Sequence, residues 1–154
     1  MTDTDDRPRF VADSMLGSLA RWLRMLGYDT TYGKHLDDDE IARLASTENR
    51  HILTRDKELA NRPGATYVEH DDLDSQLRLV CGDHGLLFDE EAIRCSACNG
   101  DLADVAKDEV SEQVPEGALE SNDKFWRCEA CGKIYWRGSH WLGILERFKK
   151  LNLA

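Results

Sequence analysis

Two sets of side chains in this chain of 154 residues have types and spacings suited to chemistry. The first is made of cysteines: "CSAC" at 95–98 and "CEAC" at 128–131 give C-x2-C, 29 intervening residues, then C-x2-C. Each short turn presents two thiolates to one ion, and four soft ligands close a tetrahedral Zn2+ site, with iron as the alternative. Cys95, Cys98, Cys128 and Cys131 fill every position, so the ion is expected to be structural and not catalytic. Gly100 and Gly132 are expected to permit the tight turn after each pair. The fifth cysteine, Cys81, reads as a small buried hydrophobe.

The second set is made of carboxylates. In "RFVAD" an apolar run ends at Asp13, and in "HILTRDKEL" another ends in Thr54, Arg55 and Asp56. If both runs are strands of one parallel sheet, both acids reach its carboxyl edge, where loops from different strands converge. A third acid from the start of "DDDEIARLA" can join them. Carboxylates meeting without basic partners repel one another, and a hard divalent cation such as Mg2+ or Mn2+ is the usual remedy. Each acid has a plainer reading as well, because Asp13, Asp37 or Asp38, and Asp56 all stand where a helix needs an N-cap.

The elements that must position these residues follow from periodicity. In "SMLGSLARWLRMLG", Leu16, Leu19, Ala20, Leu23 and Leu26 share one helical face, Arg21 and Arg24 lie off it, and Gly27 supplies the stop. "DTTYG" reads as a strand, "DDDEIARLASTENR" as a capped helix with Ile41, Leu44 and Ala45 inward, and "DKELANR" as a short helix. "ATYVEH" reads as a strand, and a helix runs from about Asp72 to Val80. Strands alternating with helices predict an α/β fold with a short parallel sheet flanked by helices on both faces. Beyond it come short strand-like runs, "KFWRC" and "KIYWRG", an acidic loop around Pro115 and Gly117, and a final basic amphipathic helix, "HWLGILERFKKL". The expected division is residues 9–85 for the sheet domain and 92–154 for a small four-cysteine zinc ribbon with its C-terminal helix.

The net charge of −10 is uneven: residues 1–80 carry −5, residues 81–123 carry −10, and residues 124–154 carry +5. The cationic end is therefore the natural polyanion surface, and there Lys133, Tyr135, Trp136, Arg137, His140 and Trp141 interleave cations with rings, as stacking on bases requires. The opposing reading makes Trp141 and one of Tyr135 or Trp136 core, with Ser139 capping the last helix. No run of roughly 18 apolar residues is present to span a membrane, and the start, "MTDTDDRPRF", is acidic and reads as disordered. Because that start is acidic where a secretory signal would be basic and then apolar, a cytoplasmic location is expected, and in that reducing compartment five cysteines, one of them left over in any pairing, are not expected to form disulfides.

The stretches "FVADSMLGSLARWLRMLGYDT", "DDDEIARLASTENRHILTRDKEL" and the later "CxxCG-K-IYWRGSHW" resemble the Mut-seven C-terminal RNase family, a PIN-like nuclease domain carrying a zinc ribbon. The similarity runs from Arg9 to about Leu145. Carried over residue by residue, it implies that Asp13, Asp38 and Asp56 hold a catalytic Mg2+ or Mn2+ for hydrolysis of structured RNA, of the tRNA or rRNA class. On that reading Arg21, Arg24, Arg55 and Lys57 grip phosphates at the rim, and Lys133, Trp136, Arg137, His140 and Trp141 contact RNA from the ribbon. One departure stands out. PIN nucleases commonly add an acid between the first-strand Asp and the later pair, and between Asp13 and Asp37 this chain offers only Asp29, which leaves Asp37, Asp39 or Asp72 as substitutes. The rival functions are a non-catalytic RNA-binding or ribosome-associated adaptor and a toxin-like nuclease neutralised by a partner.

Overall fold

The structure is a computed structural model that describes residues 7–154. The expected disordered start falls on residues 1–6, outside the described residues. Two compact units divide the chain, Met1–Asn99 and Gly100–Ala154. Among the described residues no helix is long and apolar enough to cross a membrane.

In the first unit β1 (Phe10–Asp13), β2 (Thr30–Gly33), β3 (His51–Thr54) and β4 (Ala65–Tyr67) form a parallel sheet in the order β2-β1-β3-β4. The central strand β1 is buried along its whole length, which suits an uninterrupted Phe-Val-Ala run between two layers of helix. The strand alternation sorts its residues. Val11 and Ile52 face Ile41 of helix α2 (Asp38–Glu48) and Leu59 of helix α3 (Lys57–Ala60) in one apolar cluster. Phe10, on the other face, meets the ring of His84 from helix α4 (Leu73–His84) edge-on at 5.0 Å.

Helix α1 (Gly17–Leu26) buries Leu19, Ala20, Leu23 and Leu26, as its spacing requires, and stops where Gly27 takes a left-handed φ of 111°. Arg24 departs from the reading that placed it off the buried face. It is buried with the leucines, and its Nε and Nη1 donate to the Thr30 and Ser96 carbonyls, both at 2.9 Å. A guanidinium serves there because its fork reaches two separate backbone acceptors that no aliphatic side chain could satisfy.

The second unit is built on an antiparallel sheet, β5 (Leu102–Val105), β6 (Phe125–Cys128) and β7 (Ile134–Trp136), in that order. Val110, Val114 and Phe125 form its core, with Ala118, Leu119, Ile134 and Trp136 packed around them. Helix α5 (Glu116–Ser121) occupies the acidic stretch around Pro115 and Gly117 that is expected to be loop. Its apolar residues are too few to show periodicity, and it has no side-chain cap at Pro115. Helix α6 (Ser139–Lys150) follows; its N-cap is Gly138, and Ser139 is its first turn, not its cap.

Candidate active site

Asp13 ends β1 with a side chain only 7% exposed. Its Oδ1 accepts the Met15 N–H at 2.9 Å, closing the turn into α1, and its Oδ2 accepts the Thr54 hydroxyl at 2.5 Å and the Arg55 N–H at 2.8 Å. The N-cap expected of Asp13 is not made, because the N-cap of α1 is Leu16 and carries no side-chain cap bond; Asp13 closes the turn that precedes the helix instead. Thr54 is fully buried, and its Oγ1 also accepts the Asp56 N–H at 2.9 Å. A single hydroxyl therefore fixes the end of β3 against the end of β1, relaying from the Asp56 backbone to the Asp13 carboxylate.

Asp56 is exposed and caps α3, with Oδ1 accepting from the Glu58 and Leu59 N–H groups. The α2 cap is Asp37, in a reciprocal box with Glu40, so Asp38 is released from capping and lies in the first turn. Asp38 is within hydrogen-bonding reach of Asp56. Its carboxyl titrates above the usual range because it is partly desolvated and because Asp56, and more weakly Asp13, crowd it with negative charge, while Arg62 opposes them. Asp13 and Asp56 follow the carboxyl ends of β1 and β3, and Asp38 opens α2 near enough for their charges to act on it. They are not drawn in as tightly as thiolates: among the described residues, the four-cysteine cluster is the group whose ligand atoms all fall within 4.8 Å of one another.

The substitutes for a fourth acid are engaged elsewhere. Asp29 stands at the opposite edge of the sheet, before β2, where Arg50 Nη1 at 2.8 Å and Asn99 Nδ2 at 2.6 Å bind its Oδ1. Burial alone would raise its pKa, yet those two donors, with the charges of Arg50 and Arg94, hold it below the ordinary carboxylate range. Asp37 caps α2, Asp72 caps α4, and Asp39 pairs with Arg62 at 2.7 Å.

Of the cations expected at the rim, Arg21 and Lys57 are exposed. Arg24 is not at the rim, being buried under α1. Arg55 is turned back into the protein, bonded to the His70 carbonyl and to Asp71 at 2.6 Å, which leaves its backbone N–H as its contribution to Asp13. Arg62, which sequence reasoning missed, is the guanidinium whose charge reaches Asp38. Its only sequence signal was a cation shortly after "TRD" and beyond a very short helix.

The Sγ atoms of Cys95, Cys98, Cys128 and Cys131 cluster within 4.8 Å. Four thiolates about 2.3 Å from one zinc stand about 3.8 Å apart, so the set fits the ion. The Ala130 and Cys131 N–H groups point at Cys128 Sγ at 3.4 Å, a donor pattern that favours thiolate. Both turns close alike: Asn99 N–H bonds the Cys95 carbonyl at 2.8 Å, and Gly132 N–H bonds the Cys128 carbonyl at 3.0 Å. The residue that takes positive φ after the first pair is Asn99 at 74°, matching Gly132 at 82°, and not Gly100 as expected. Asn99 tolerates the left-handed region because its side chain is anchored, accepting the Thr30 N–H at 3.0 Å and donating to Asp29. Cys81 is buried in α4, and burial pushes its thiol up to about 12, which keeps it an inert hydrophobe.

On the ribbon, Trp136 is half-buried and packs against the core cluster beside Phe125, with ring centroids 6.2 Å apart. Lys133 lies over Tyr135 at 5.2 Å, and Arg137 lies over both Trp126 and Trp141 at 5.0 and 5.1 Å. His140 is exposed in the first turn of α6.

A four-stranded parallel sheet flanked by helices, followed in sequence by a four-cysteine cluster and a C-terminal helix, defines the chain as an α/β protein with a cysteine-cluster module. The chain belongs to the Mut7-C RNAse domain family, whose model matches residues 8–148. Comparison with curated proteins and with solved structures yields no match. Membership points to a nuclease or RNA-related function, and the four cysteines could bind zinc.

Proposed function

We propose that the protein is a metal-dependent endoribonuclease acting on structured RNA of the tRNA or rRNA class in the cytoplasm, with zinc as the structural ion of the ribbon. The observation that carries this reading is the meeting of Asp38 with Asp56, in reach of Asp13, where among the described residues no cation is salt-bridged to either member of the pair. Mg2+ keeps several of its waters and needs only one or two protein carboxylates, so a set more open than a thiolate cage suits it. Asp13, Asp38 and Asp56 would hold Mg2+ or Mn2+, which when bound supplies a water of lowered pKa and positive charge beside the phosphodiester.

The chain's own residues do the rest. Thr54 and the Arg55 N–H hold the Asp13 carboxylate in one orientation, and the α3 cap fixes Asp56, so the ligand set is built before an ion or substrate arrives. Arg62, with Arg21 and Lys57 exposed on the same unit, supplies positive charge for phosphate.

Purified protein incubated with labelled RNA and Mn2+ or Mg2+ should cleave it, chelator should stop the reaction, and Asp38→Asn and Asp56→Asn should abolish it with the fold intact. Undiminished cleavage by both variants removes the proposed site. The engagement of every candidate fourth acid elsewhere favours the adaptor as the second reading, and tight RNA binding with no cleavage under any divalent ion would select it.

A further inference from the structure

Chain alternation on the ribbon separates two kinds of ring. Phe125 and Trp136 pair across β6 and β7 and face the core, whereas Trp126 and Tyr135, directly paired one position on, face the other way. The same parity places Lys133 and Arg137 on the side of Trp126 and Tyr135. Each cation sits over a ring there: Lys133 over Tyr135, and Arg137 between Trp126 and Trp141. Trp126, Tyr135 and Trp141 are all partly exposed, and Lys133 and Arg137 are exposed.

We infer that this face of the β5-β6-β7 sheet is a stacking platform for unpaired RNA nucleotides, with Trp126 and Tyr135 receiving bases and Arg137 and Lys133 meeting phosphates. The inference rests on the RNA reading above and names the form of RNA the ribbon takes. Directly opposed residues on neighbouring strands stand side by side, so the Trp126 and Tyr135 rings share one patch with the cations that lie over them, and bases stack on guanidinium planes as well as on rings. Stacking needs the face of a base, which a duplex hides and a loop, bulge or end exposes. Charge agrees: residues 124–154 carry +5 in a chain of −10, so a polyanion is drawn to this segment and repelled by most of the remainder. An acidic protein partner would use the charge but gives no reason for three rings and two cations to share one face. Arg137, stacked on two rings, is held in place where a solvated side chain would lose conformational freedom on binding.

Trp126 is the discriminating residue, since it has no place in the core cluster and was not singled out by motif or charge. Binding is measured by fluorescence anisotropy on the full-length, zinc-loaded Asp38→Asn protein, so cleavage does not enter the result. The probes are a short fluorescein-labelled oligouridine and a blunt RNA duplex of equal length. The single strand should bind more tightly than the duplex. Trp126→Ala should weaken it about tenfold and Trp126→Phe should restore most of the loss. Arg137→Gln should lower the dependence of log affinity on log salt by about one phosphate contact. Wild-type affinity in Trp126→Ala with unchanged zinc content, equal affinity for the duplex, or displacement of the oligouridine by polyglutamate would each overturn the inference. Should Trp126→Ala lose its zinc, Arg137→Gln and the comparison of single strand with duplex decide the matter without it. Binding that depends on Trp126 in a protein that never cleaves RNA upholds the platform and removes the nuclease; cleavage with binding indifferent to Trp126 does the reverse.

Discussion

Replacing Thr54 with Val tests whether one buried hydroxyl assembles the acidic edge. Val matches Thr in shape, so the fully buried site keeps its packing while two hydrogen bonds disappear. The first is the donation to Asp13 Oδ2 at 2.5 Å, a bond to a charged acceptor and worth roughly 1.5–3 kcal/mol. The second is the acceptance of the Asp56 N–H at 2.9 Å, worth about 0.5–1.5 kcal/mol, the lower end applying because that N–H is only partly buried and water can reach it. Asp13 Oδ2 keeps the Arg55 N–H, so the carboxylate is weakened and not orphaned. The expected loss is about 2–4 kcal/mol, or roughly 5–15 °C in Tm for a chain of this size. Thr54→Ser keeps the hydroxyl and removes one methyl, for about 1 kcal/mol. Urea unfolding followed by far-UV circular dichroism should therefore rank wild type above Ser above Val. RNA cleavage should follow the same order, since Val frees both Asp13 and the start of α3. If Val proves at least as stable as Ser, the hydroxyl is not what joins β1 to β3, and the reasoning fails.

Divalent ions should raise Tm in the wild type and not in Asp38→Asn, and thermal shifts with Mn2+ and with chelator check this directly. Because Asp38 titrates above its ordinary value, the metal-free folded state binds more protons than the unfolded state just above pH 4; its contribution to stability falls as pH rises through that window, and Asp38→Asn should remove the slope. At the other edge of the sheet, His51 and His84 stand ring to ring at 4.5 Å, and burial lowers the pKa of both, with His84 further depressing His51. The unfolded chain then binds more protons below about pH 6.5, so stability should drop as pH falls from 7 towards 5, and a His51→Gln/His84→Gln protein should show a flatter profile over that range. Asn99→Gly keeps the left-handed turn but removes the bonds to Thr30 and Asp29, and should cost about 1–3 kcal/mol; Asn99→Ala adds backbone strain and should be worse, with unfolding midpoints showing whether the order holds.

Periodicity, spacing and turn chemistry are local properties, and what they encode was legible in the sequence. The four strands and the four helices α1 to α4 of the first unit could be read from apolar spacing, β-branched content and capping residues, because a buried central strand such as Phe10–Asp13 and an amphipathic helix such as α1 tolerate few other patterns. The four cysteines could be grouped from their intervals alone, since two C-x2-C turns in one chain are the spacing of a four-thiolate cluster, and the structure brings them together. Residues whose role depends on distant neighbours could not be assigned that way. Arg24 sits one position from the leucine stripe, and only the carbonyls of Thr30 and Ser96, brought beside it by folding, offset the cost of its burial. Trp126 and Trp136 look alike as residues of aromatic strands, and cross-strand register alone sends one to the core and the other outward. Likewise Asp37, Asp38 and Asp39 are three equal acids in a row until helix α2 begins. A helix has one N-cap, so Asp37 takes it, Asp39 is carried round to Arg62, and Asp38 is left facing Asp56. The sequence alone determined which chemistries were available; the direction each side chain takes within the folded chain decided which residues are brought near one another for them.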